Sequence, residues 1–199
     1  MGVDPIEYAR EQDQQAEKAK SRLNTLVAIA VALLATFMGI CKVKDDNIVQ
    51  AMQQAQADKI DSYSWYQARN IREEVANAVA AQLAAQAASA PQSVRAVYDA
   101  EIAKYQAIGQ EQGEKKKVQQ ADAEGADKRY DALNIHDDQF DLSDALLSIA
   151  ISLLALTALT GKRWLYWVSM IPTVLGVFMG LAGLLGWGIH PDALTKLLS

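Results

Sequence analysis

Residues 23–41, LNTLVAIAVALLATFMGIC, run for 19 positions without a Lys, Arg, Asp or Glu. A hydrocarbon core of roughly 30 Å needs about 20 consecutive apolar residues at the helical rise of 1.5 Å each, so this stretch reads as a membrane span. Residues 142–160 and 164–189 meet the same requirement, and the longer third stretch can span with tilt. Asp144 is the single acid within them, close enough to the start of the second for its carboxylate to reach the interface. The expected fold is an all-α integral membrane protein with three transmembrane helices. A long extramembrane antiparallel helical hairpin, coiled-coil-like, is expected between spans one and two.

The chain divides accordingly into an N-terminal cytoplasmic helix (1–22), span one (23–41), the hairpin (42–141), spans two (142–160) and three (164–189), and a tail (190–199). A composition of 51% hydrophobic residues averages two unlike regions. The net charge of −5 belongs to the insert, where 12 basic residues face 17 acidic ones. Such an acidic balance argues against nucleic acid as a partner.

A cleaved signal peptide is a poor reading of span one, because 22 residues precede it and its apolar run exceeds the usual h-region. Met38, Gly39 and Ile40 before Cys41 do not suit lipoprotein cleavage, and Ile6 breaks the myristoylation pattern. One cysteine excludes an internal disulfide and a cysteine metal cage.

Lys and Arg in short flanks set orientation. Arg10, Lys18, Lys20 and Arg22 precede span one, and Lys162 and Arg163 form the turn between spans two and three. These place the N-terminus and that turn in the cytoplasm, and the insert outside. Lys42, Lys44, Lys128 and Arg129, counted on the other side, nearly cancel the bias. Trp164, Tyr166, Trp167 and Trp187 suit interfacial belts.

No proline stands between Pro5 and Pro91, which predicts one helix from span one to about Ser89. Ile48, Met52, Ala55, Tyr63, Ile71, Val75, Ala78 and Leu83 recur at three-and-four spacing as a thin seam. AASAPQS at residues 87–93 breaks the helix near 89–93, with Ser89 and Ser93 as possible caps. Gly109, Gly113 and Gly125 each cost about 1 kcal/mol in a helix interior, which predicts a kink or frayed stretch there. Asp4, Pro5 and Glu7 form a helix-start signature.

Small residues form a stripe on each span: Ala28, Ala32, Ala35 and Gly39; Ala145, Ser148, Ser152 and Ala155; Gly176, Gly180 and Gly183. Small residues let helix backbones approach in a bilayer. The stripes serve either a three-helix bundle within the chain or contacts between subunits, and a homo-oligomer is expected. No ionisable residue lies deep in a span, so the machinery of ion-coupled transport is missing. Pro172 is expected to kink span three as a structural proline.

The densest polar cluster is NIHDDQFDLSD at residues 134–144. Asp137, Asp141 and Asp144 share a helical face with His136 and Asp138 beside them, and Asp45 and Asp46 follow span one at about the same height. A divalent-cation site of Asp45, Asp46, His136, Asp138 and Asp141 is one reading, since hard cations take carboxylate oxygens. The other is that Asp138 or Asp141 caps span two and the rest are solvated. In the arm, Tyr63, Trp65, Tyr66 and Arg69 form either internal stacking or a partner patch. His136 and His190 are the only histidines, and no phosphate loop or nucleophile elbow is present. No enzyme activity and no cofactor are expected.

The order of these motifs resembles a bacterial family of three-span membrane proteins catalogued only as a domain of unknown function. The similarity lies in Trp65-Tyr66-Gln67-Ala68, in His136-Asp137, in Phe140-Asp141-Leu142, and in Lys162, Arg163, Trp164, Leu165 and Tyr166. Gly161 stands where a further basic residue is common. The resemblance implies bacterial inner-membrane residence and supplies no activity. The expected function is a self-associating scaffold or accessory protein. An oligomeric cation channel with an acidic ring of Asp45, Asp46, Asp138 and Asp141, or a subunit of a larger complex with an unlike membrane-protein partner, are the alternatives.

Overall fold

A computed structural model describes residues 5–189. Asp4 of the helix-start signature, His190 and the tail lie outside the described residues. The chain forms α1 (Pro5–Ser89), a single 3₁₀ turn (Gln92–Val94), α2 (Arg95–Thr160) and α3 (Arg163–Leu185), with no strand among the described residues. All three helices contain a stretch long and apolar enough to cross a membrane. Only 17% of that stretch is buried inside the chain in α1, and 33% in each of the others. Most of this apolar surface therefore needs cover from outside the chain, which is compatible with a membrane location.

Two compact units result, one from residues 1–49 with 133–199, the other from residues 50–132. In the first, Val27 and Leu34 of α1 meet Leu147, Ala150 and Leu154 of α2 in a buried core. α3 closes over it with its glycines. A Cβ at Gly176 would stand 2.8 Å from Leu147, one at Gly180 2.7 Å from both Phe37 and Ser143, and one at Gly183 2.8 Å from Phe140. These three glycines pack the helices of this unit by letting large side chains press on the α3 backbone. Ser143, missed by sequence reasoning, is buried and donates to the Gly176 carbonyl at 2.8 Å.

The other small-residue stripes behave differently. Ala28, Ala32, Ala35, Gly39, Ser148 and Ser152 are all exposed, and a Cβ at Gly39 would meet nothing within 4 Å. Ser152 donates back to the Ser148 carbonyl at 2.9 Å. α3 is continuous through Pro172. It ends at Gly186, φ +69°, where the Trp187 N–H reaches Ala182 O at 2.9 Å, a turn that favours glycine.

In the second unit the arms pair in antiparallel order, through Arg129 with Asp58, Lys59 with Asp127, Arg69 with Gln112, and Lys116 with Asn70 and Glu73. α2 is unbroken across 109–125, so the expected frayed stretch does not form there. Gly109 and Gly113 lie against the α1 arm, where Asn77 Oδ1 and Glu73 Oε1 would stand 2.6 and 3.1 Å from an added Cβ. Close approach of the arms offsets the helical cost of these glycines. Neither serine near the break acts as the expected cap. Ser89 Oγ donates to Gln86 O at 3.1 Å, and the 3₁₀ turn at Gln92 has no side-chain cap.

The seam also departs from its sequence reading. The more buried α1 positions of this unit are Met52, Ala55, Lys59, Ser62, Tyr66 and Arg69, continuing through Glu73, Ala76, Ala80 and Leu83, at alternating steps of three and four. Tyr63, Ile71, Val75 and Ala78 point outward instead. The middle of the seam is polar, so apolar periodicity follows the wrong face there.

Candidate functional site

The end of α1's apolar stretch and the start of α2's lie side by side in the first unit, and there the acids converge. Asp45 is 4% exposed. Its Oδ2 takes an ion pair from Lys42 Nζ at 2.9 Å, while Lys42 also reaches Asp46 Oδ1 at 3.3 Å. Asp45 Oδ1 is buried and has no hydrogen-bond partner. Asp137 lies near Asp45, whose carboxylate favours the protonated form of Asp137. Burial, then the charges of Asp141 and Asp45, raise the Asp137 carboxyl to about 6. Burial and Asp45 push Asp141 in the same direction, opposed by Lys42. A small cavity between Met38, Cys41, Asp45, Phe140, Asp141 and Asp144 adjoins them.

The remaining members of the expected cation set are occupied elsewhere. The ring nitrogen His136 Nδ1 lies 3.1 Å from Gln139 Oε1, Asn134 donates to Asp138 at 3.3 Å, and Asp46 stays exposed. Among the described residues, no three His, Cys, Asp or Glu side chains are grouped to hold a metal ion. Asp45, Asp46, His136, Asp138 and Asp141 are not gathered into such a group among the described residues. Three acids share one face of α2, but Lys42 supplies the positive charge and the other groups turn to local partners. The site sets a buried carboxylate, Asp45, beside a carboxyl, Asp137, that holds its proton more tightly than usual.

Gln139 was not singled out by sequence, yet it is fully buried and donates to both Trp187 O, at 2.8 Å, and Ile189 O. It ties the segment just after α3 to α2 by donating to its backbone carbonyls. Its neighbour Phe140 is buried against Gly183. Gln139 carried no sequence signal beyond its place in an acidic run, while Phe140 stood in the motif Phe140-Asp141-Leu142.

The aromatic patch of the second unit splits in two. Arg69 turns inward, its Nη1 donating to Gln112 Oε1 at 3.0 Å, and Tyr66 is half-buried. Trp65 and Tyr63 are exposed, with the Arg69 guanidinium 5.9 Å from the Trp65 ring centroid. Ile71 and Val75, 62% and 56% exposed, border a groove completed by Tyr105 and Ile108.

A domain of unknown function, DUF4337, matches residues 23–186. The chain belongs to this family. No curated protein and no solved structure matches it. The DUF4337 match covers the first two apolar stretches, the hairpin residues, the acidic cluster and the third stretch as far as residue 186.

Proposed function

We propose that this DUF4337 chain is a non-enzymatic, self-associating scaffold or accessory protein of the bacterial inner membrane. Its three apolar stretches span the bilayer, with the N-terminus cytoplasmic and the hairpin periplasmic. The observation that carries self-association is the outward apolar face of the second unit. Ile60, Trp65, Ile71 and Val75 are exposed on a stretch that also holds Asp58, Asp61, Arg69, Arg72 and Glu73. That charge density keeps the stretch out of hydrocarbon, so lipid cannot cover the face and protein must. A second copy supplies a matching face. The outward stripe of Ala28, Ala32, Ala35 and Gly39 offers a second contact of the close-packed kind.

An acidic-ringed cation pore receives less support, because Lys42 bridges Asp45 and Asp46 and leaves less free negative charge to concentrate cations. Native mass spectrometry of the gently solubilised protein tests the proposal. A discrete multiple of 21.7 kDa is expected. A monomer, or a complex with unlike chains, would replace self-association with a single-copy or accessory-subunit reading.

A further inference from the structure

We propose that the end of the first unit carrying Lys20, Arg22, Lys162 and Arg163 is a docking surface for the headgroups of anionic phospholipids. The inference rests on the membrane reading above and adds the lipid class. Gly161, φ +67°, makes the α2 to α3 turn, its N–H reaching Thr157 O at 2.9 Å. The Lys20 methylenes pack 3.9 Å from where a Gly161 Cβ would stand, which sets Lys20 of α1 beside the basic turn.

Among the described residues these cations have no counter-ion within the chain. All eight ion pairs among the described residues fall between Lys42 and Arg129, and none includes Lys18, Lys20, Arg22, Lys162 or Arg163. Glu17 is the one acid in residues 17–22 and 161–163, against five basic residues. α3 begins with no side-chain cap at Lys162, so its first N–H groups add positive potential at the same place.

The surface next to this charge identifies the kind of anion. Leu26, Ile29, Leu159, Trp164 and Trp167 of the same unit are all exposed, Leu159 to 79% and Trp167 to 71%, and each falls within nine residues of one of these cations in the sequence. A ligand meeting both regions carries a negative head and long apolar tails. A free phosphate would use the charge and leave the apolar rim uncovered. An anionic phospholipid satisfies both, and tryptophan at headgroup depth fits the same placement.

The test uses the full chain with Trp65→Phe and Trp187→Phe, so that fluorescence comes from Trp164 and Trp167. It is reconstituted in phosphatidylcholine vesicles containing increasing fractions of brominated phosphatidylglycerol, with brominated phosphatidylcholine as reference. Brominated phosphatidylglycerol is expected to quench at about five-fold lower mole fraction, a preference that shrinks in high salt. Lys20→Gln, Lys162→Gln and Arg163→Gln together are expected to equalise the two lipids, with helicity checked by circular dichroism. Equal quenching of the parent by both lipids would overturn the lipid preference and leave the membrane reading standing. A preference that survives the triple substitution would overturn the assignment to these residues. Quenching by neither lipid would overturn the membrane reading, and this inference with it.

Discussion

Asp137 holds its proton more tightly in the folded chain, at about 6 against an ordinary 3.8. Stability from this group is therefore complete below about pH 4 and is lost as pH rises through 6. Asp137→Asn removes the ionisation. Thermal unfolding in detergent should show a gain of about 1 kcal/mol at pH 7.5, after allowance for solvent screening, and no change at pH 4. Gln139→Leu should act in the opposite direction at every pH, costing about 2 kcal/mol by stripping the bonds to Trp187 and Ile189. The same melting experiment reads it. The sequence placed Asp45, Asp137 and Asp141 near one another because helix periodicity and an antiparallel return suffice for that. It could not reveal that Lys42 neutralises Asp45, nor that Gln139 turns inward, since those depend on rotamers and on the level at which α3 ends.

The helices themselves were legible for a simple reason: uninterrupted apolar runs of bilayer length and a proline-free α1 leave few alternatives. Helix faces were harder to read. Glycines 176, 180 and 183 and alanines 28, 32 and 35 look alike as small-residue stripes, yet the first set is packed inside the unit and the second faces out. Gly180→Leu should cost roughly 1–3 kcal/mol or more by driving into Phe37 and Ser143. Ala32→Leu should leave the melting temperature of the monomer unchanged. The hairpin misled in a related way, because the inward positions Lys59, Arg69 and Glu73 are polar while Ile71 and Val75 point out. Gly125 has nothing within 4 Å of an added Cβ and sits inside α2. Gly125→Ala should therefore stabilise the helix by about 0.5–1 kcal/mol in a melt followed by circular dichroism.

Each unit leaves apolar surface uncovered, but the remedies differ. In the first, the exposed faces belong to stretches of bilayer length, and lipid is the proposed cover. In the second, Ile71 and Val75 lie among charges that exclude hydrocarbon, and another copy of the chain is the proposed cover. Cysteine cross-linking in native membranes tests this most directly, with Cys41→Ser removing the only native thiol and Ile71→Cys placing one on the outward face. A disulfide-linked dimer on mild oxidation, suppressed by an added Val75→Glu, is the predicted result. A chain that stays monomeric while the introduced thiol is fully labelled by a maleimide would contradict self-association through this face.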